Sequence, residues 1–301
     1  MRMPKPLFAI TLLFATSTTA LLALGQDQVS FEPDPSFPQL PKDFQLGACA
    51  AVAVGQDGTV FLFHRGEQPI VCLDSQGRFL RSWGDAEIVS AHGLRVDHNR
   101  HVWVTDMAGH RVLKYSGEGK LLLALGTGKP GANRDQFNKP TDIAFGSLGE
   151  FFVSDGYGNS RVTKFSPSGA VITTWGKRGK LHGEFNLPHS IIVDDKGRVL
   201  VGDRENNRIQ IFDGDGKLLD VWNGFAPYGL AFSPKGELYV ADGRADMVLR
   251  LDASGKVVQQ IGKSGTAPGQ FKMPHMLAFD QKGNLYVAEV GGKRVQKFVP
   301  K

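Results

Sequence analysis

One pattern recurs six times along the chain, and it leaves few folds open. From Ala50 the sequence reads "AAVAVGQDGTVFLFHRGEQPIVCLDSQGRFLRSWG" and from His92 "HGLRVDHNRHVWVTDMAGHRVLKYSGEGKLLLALG"; kindred segments open at Thr141, His189, Tyr228 and His275. Each carries a short apolar run, a Gly or Asn turn, an alternating run, a polar turn, a stretch like R-V-x-K-F, another Gly turn and a final alternating run. Four antiparallel strands per unit of about 45 residues is the pattern of a propeller blade. The predicted fold is therefore all-β, a six-bladed β-propeller over residues 47–301. The last copy has only three strands before Lys301, so residues 26–46, and within them Ser36 to Leu46, are expected to supply the fourth and close the ring.

At 301 residues, 41% hydrophobic and 22% charged, the chain can bury a large core. Arg2 and Lys5, the apolar run after them and the small residues near Ala23 and Gly25 read as an export signal over residues 1–25. No later apolar run approaches the roughly 20 residues of a membrane span, so the expectation is a secreted or periplasmic monomer with no membrane contact after cleavage. The net charge of +5 comes from Lys and Arg scattered among the turns, without a basic block or aromatic platform, which argues against a nucleic-acid partner. Cys49 and Cys72 fall on the first and third strands of one blade, which are not neighbours, and are expected to be free buried thiols.

His92, His189 and His275 occupy one repeat position, at the start of the innermost strand, in blades 2, 4 and 6; Ala50, Thr141 and Tyr228 hold it in blades 1, 3 and 5. Blades in a six-membered ring are rotated by about 60°, so alternate blades aim three imidazoles at the axis at one height. Singly, each histidine is equally a hydrogen-bonded strand cap. Three at alternate repeats point to a metal with an open fourth position, zinc ahead of other first-row ions. The turn after the second strand opens on the same face, and there Arg65 and Arg204 share a repeat position, with Tyr157 one residue later. Two guanidiniums and a phenol suit holding a carboxylate and moving a proton. Asp106, Asp155, Asp203, Asp242 and Glu289 recur in most blades at the end of the second strand, and recurrence of that kind reads as turn support, paired as Asp106 with Arg111 or Asp203 with Arg208.

The units resemble NHL repeats, and "FHRG", "HGLRVD", "VWVTD", "KPTDIAF", "VSDGYGNSRVTKFSPSG", "LPHSIIV" and "DRENNRIQIF" are similar, in order, to peptidyl-α-hydroxyglycine α-amidating lyase, from about Leu46 to Phe298. The resemblance implies zinc on His92, His189 and His275, catalytic roles for Tyr157, Arg65 and Arg204, and cleavage of a peptidyl- or acyl-α-hydroxyglycine to an amide and glyoxylate. A separate hydroxylase would then make the substrate. It further implies calcium held by the carbonyls of Val52 and Leu94 and by an aspartate after the third histidine. That residue is Met276 here, so no tightly held calcium is expected. The family's disulfide cysteine after the tyrosine is Gly158. Two other readings stand beside the lyase: a propeller hydrolase of lactonase type, whose ion favours Asp, Glu and Asn, and a non-catalytic binding or scaffold propeller.

Overall fold

The computed structural model describes residue 1 and residues 28–301, so the export-signal reading falls outside the described residues. Six four-stranded antiparallel sheets form the six blades, five of them from four consecutive strands. Their inner strands are Ala48–Val54, Ala91–Val96, Asp142–Phe145, Pro188–Val193, Pro227–Phe232 and Pro274–Phe279. Among the described residues, no helix is long and apolar enough to cross a membrane.

The core lies between blades rather than within them. Six apolar clusters each draw chiefly on two neighbouring blades, which is why the second strands, such as Val102–Asp106 and Phe151–Asp155, are buried along their whole length. Between blades 2 and 3, Trp103 meets Phe151 at a ring-centroid distance of 4.9 Å, and Phe151 stacks on Phe165 at 4.9 Å. Outermost strands keep apolar residues such as Leu121 and Ile172 exposed. Cys49 and Cys72 are buried and free.

The ring closes earlier in the chain than the sequence suggests. Phe31–Pro33, not Ser36–Leu46, pairs antiparallel with Arg294–Pro300 as the fourth strand of blade 6. Three residues with a terminal proline carry almost no alternation signal, but an outer edge tolerates proline and tertiary contacts fix the position. Phe31 sits edge-on to Tyr239 at 6.3 Å, and Asp34 pairs with Lys297 at 3.2 Å. The segment expected to close the ring instead lies over the seam of blades 1 and 6: Gln39 forms a parallel bridge with Arg78 of blade 1, and Phe37 packs on Tyr286 of blade 6 at 5.3 Å.

If Phe31 anchors the closure, Phe31→Ala should lower the unfolding free energy by about 1–3 kcal/mol, less than a fully buried phenylalanine because it is half-buried. Glu32→Ala, on the exposed side of the same strand, should stay within about 0.5 kcal/mol. Denaturant titration distinguishes the two; equal effects would remove Phe31 from the closure.

Candidate metal centre

Each histidine sits where its ladder slips. In blade 4, Pro188 pairs with Asp203 and Ser190 with Gly202, leaving His189 outside the register. Blades 2 and 6 place two residues against one at the same point, between Ala91↔Asp106 and Leu94↔Val104 and between Pro274↔Glu289 and Leu277↔Val287. Such a bulge frees one residue from the ladder and re-aims its side chain, here toward the axis. The approach is itself constrained: Leu187 and Met273, each just before the proline that precedes a histidine, have φ of 70° and 52°. A non-glycine residue holds that conformation only where its surroundings over-determine it.

The recurring acids supply part of that constraint. Asp203 accepts the backbone N–H of Asn186 at 2.7 Å and Glu289 that of Lys272 at 2.7 Å, in the loops leading to His189 and His275. Asp106 does the same for Ser90, at 2.9 Å, before His92. Each acid is buried and ion-paired to the base opening the third strand: Asp106 to Arg111 at 3.1 Å, Asp203 to Arg208 at 2.8 Å, Glu289 to Arg294 at 2.6 Å. These carboxylates are spent on the loops and are not among the clustered ligand atoms.

The three imidazoles meet with centroid separations of 4.6, 4.7 and 4.8 Å, and their ligand atoms lie within 4.8 Å of one another. Every Nδ1 donates to a backbone carbonyl in the next blade: His92 to Thr141 at 2.6 Å, His189 to Tyr228 at 2.7 Å, His275 to Ala50 at 2.6 Å. A carbonyl can only accept, so the proton is fixed on Nδ1 and the Nε2 lone pair is left for the centre. The same repeat position thus supplies imidazoles from even blades and their orienting carbonyls from odd ones.

Burial, together with the neighbouring imidazoles and guanidiniums, keeps these rings neutral. His92 is pushed well below the usual histidine range by desolvation, then by His275 and Arg65. His189 is pushed down by desolvation, then by His92 and His275. For His275 desolvation, followed by Arg65, lowers the value to about 3. Three neutral, pre-oriented imidazoles fit a divalent first-row ion. Calcium does not fit: Met276 is buried in the apolar cluster with Ala50 and Leu94, and offers a thioether where a hard ion needs a carboxylate oxygen.

Tyr157, 37% exposed, brings its hydroxyl to 3.3 Å from His92 Nε2 and 3.5 Å from His189 Nε2. Asn138 occupies the space beside Gly158, where an added Cβ would come within 2.1 Å of its side chain. Arg204 lies over the Tyr228 ring at 4.5 Å and the Tyr157 ring at 5.7 Å, with its Nε on Glu205 at 2.8 Å. Arg65 donates from Nε to the Ala91 carbonyl at 3.0 Å, one residue before His92. The structure therefore gathers Tyr157, Arg65 and Arg204 about the three histidines. Sequence reasoning missed Tyr228, whose ring also stands 5.2 Å from His189; its alignment with the histidine positions was the available clue. His64 is buried and accepts the Gly47 N–H at 3.1 Å. A wide cavity of about 720 Å³ lies on the outer flank of blades 4 and 5, lined by paired charges such as Arg198 with Asp194, and includes none of these groups.

The NHL repeat family matches residues 137–165 and 185–212. NHL repeat-containing protein 3 from Homo sapiens is 33% identical over 91% of this chain and 85% of its own length. Peptidyl-alpha-hydroxyglycine alpha-amidating lyase 1 from Drosophila melanogaster is 31% identical over 85% of this chain and 57% of its own. The chain belongs to this family of NHL-repeat propellers. It spans 27% of the length of Peptidyl-glycine alpha-amidating monooxygenase A from Xenopus laevis, at 33% identity over 73% of this chain. A solved streptogramin B lyase shares the fold, with a TM-score of 0.66 and 16% identity over 91% of this chain and 98% of its own.

A folded-state value held below the unfolded 6.5 has a consequence for the metal-free protein. As pH falls from 6.5 toward about 3, the unfolded chain binds protons that the folded one refuses, so stability present above 6.5 is lost through that window. His275→Gln should flatten part of the slope in pH-resolved denaturation. An unchanged slope would show that His275 is not held neutral.

Proposed function

We propose that this protein is a zinc-dependent carbon–nitrogen lyase that cleaves a peptidyl- or acyl-α-hydroxyglycine into an amide and glyoxylate. The observation that carries the reading is the Tyr157 hydroxyl poised between two Nε2 atoms of a neutral, pre-oriented three-histidine cluster. The similarity to a named amidating lyase over 85% of the chain supports it. Zinc, when bound, supplies Lewis acidity that favours ionisation of the substrate hydroxyl.

The chain's own groups account for the remaining steps. Arg65 has its Nε committed to Ala91, which leaves its outer nitrogens to take the substrate carboxylate. Tyr157, as its phenolate, takes the hydroxyl proton; the O–H electron pair becomes the aldehyde C=O, the C–N bond breaks toward nitrogen, and the resulting phenol returns that proton to the departing amide nitrogen. Arg204, stacked on Tyr228 and tied to Glu205, holds Tyr157 in place and offsets developing negative charge. No oxidant is consumed, so the substrate's hydroxyl has to be installed beforehand by a hydroxylation. The charged N-terminus and following apolar run support export, with the reaction outside the cytoplasm.

A second reading keeps the metal and drops the reaction. NHL repeat-containing protein 3, whose name carries no activity, matches over more of both chains than the Drosophila lyase does. A lactonase-type hydrolase is disfavoured because the acids near the mouth are consumed by ion pairs and loop N–H groups.

Glyoxylate release from α-hydroxyhippurate separates the readings. Zinc-loaded wild type should release it, and Tyr157→Phe should keep fold and zinc while losing about 10² to 10⁴ in rate. His189→Ala should lose both zinc and turnover while remaining folded. A wild type that holds zinc yet releases no glyoxylate would favour the non-catalytic reading; a Phe variant matching wild type would remove Tyr157 from the proton transfer.

A further inference from the structure

One layer below the imidazoles, the channel holds a charged pair. Among the described residues, Arg95 and Asp142 are the only Asp, Glu, Lys or Arg on the six inner strands. Arg95 grips Asp142 with both edges of its fork, Nε to Oδ1 at 3.1 Å and Nη2 to Oδ2 at 2.7 Å, and Nη2 also reaches the Leu230 carbonyl at 3.3 Å. Arg95 belongs to blade 2 and Leu230 to blade 5, which stands opposite in a six-membered ring. A side chain bonded to both neighbour and opposite blade has its guanidinium on the axis.

The pair extends into blade 4. Asp142, fully buried, also accepts from Ser190 Oγ at 2.9 Å and the Ile191 N–H at 3.1 Å, and Ser190 Oγ accepts the Leu230 N–H at 3.2 Å. Arg95 thereby joins three inner strands, and Asp142 with Ser190 ties in a fourth. The joined residues adjoin the metal centre: Asp142 follows Thr141, whose carbonyl orients His92, and Ser190 follows His189. On the far side, the channel opens as an apolar funnel of about 270 Å³ lined by Val54, Val96, Phe145, Val193, Phe232 and Phe279, with Arg95 among its walls. Among the described residues, no carboxylate lines that funnel to take a divalent ion.

We propose that Arg95 is a built-in axial cation that takes the place of a structural calcium and acts as a positioning residue for the three-histidine centre. A fixed guanidinium ties the inner strands together permanently, where a calcium ion would make their spacing depend on its supply. The misfit of calcium at Met276 and the cation at Arg95 are then two sides of one arrangement. The link to metal affinity rests on the three-histidine reading; the axial-cation assignment does not.

The test uses full-length mature protein and four readouts: calcium content, melting temperature with calcium or with a calcium chelator, zinc content, and zinc affinity by competition with a chromophoric chelator. Wild type should hold no stoichiometric calcium and melt at the same temperature in either condition. Arg95→Met should melt lower, because Asp142 loses its partner in a buried setting, and should bind zinc about tenfold more weakly. Arg95→Lys keeps the charge but cannot fork across two partners, so it should fall between the two. Should Arg95→Met not fold, Arg95→Lys must still weaken zinc by about threefold or more. A stoichiometric calcium in wild type, a melting temperature that rises with added calcium, or a folded Arg95 variant with wild-type zinc affinity and melting would each overturn the proposal. If wild type binds no zinc, the histidine reading fails by itself, and the calcium and melting readouts still decide the assignment of Arg95.

Discussion

The hydrogen bond from each histidine Nδ1 to a carbonyl in the next blade is the contact on which the site depends. It crosses a blade boundary three times, at 2.6, 2.7 and 2.6 Å, and decides both where each ring points and which nitrogen carries the proton. Without it a buried imidazole has a choice of tautomer and rotamer, and three such choices rarely agree. The alternation of histidine and non-histidine blades follows from this requirement. A ring of six imidazoles would leave each even-blade histidine crowded by its neighbours, whereas Ala50, Thr141 and Tyr228 serve through backbone carbonyls and leave the centre to three lone pairs.

Around that centre the fold spends its buried charges on geometry. Asp106, Asp203 and Glu289 hold the loops that enter the histidine strands, and Arg95 with Asp142 braces the strands from below. Desolvation outweighs the partners for some of these carboxyls: Asp155 and Asp203 are raised above their ordinary value chiefly by burial, against hydrogen bonds and the arginines Arg161 and Arg208. Their value lies in the loop positions they fix, since a buried pair gains little net stability over an apolar one but is costly to break.

Much of this was legible because a propeller writes its architecture as a period. Six aligned copies give the blade count, the inner-strand position and therefore the convergence of His92, His189 and His275, without any knowledge of side-chain contacts. The acids at the second-strand ends were readable as supports for the same reason. What escaped was whatever breaks the period. Phe31–Pro33 closes the ring through contacts remote in sequence, with Tyr239 and Lys297 as partners, so a three-residue strand left no local trace. Arg95 and Asp142 each occur in one blade and gain meaning only from meeting across the channel. Tyr228 was visible as a column mate of the histidines, but its carbonyl, not its side chain, is what His189 uses, and backbone roles have no residue code.

The central claim is that three Nε2 atoms jointly hold one divalent first-row ion on the propeller axis. Anomalous diffraction recorded on both sides of the zinc absorption edge, from crystals of the protein purified without added metal, tests it most directly. The account predicts a single peak that appears above the edge, about 2.0–2.1 Å from Nε2 of each of His92, His189 and His275. An ordered, fully occupied histidine cluster with no anomalous peak after soaking in zinc, or a peak bound through Nδ1, would contradict it.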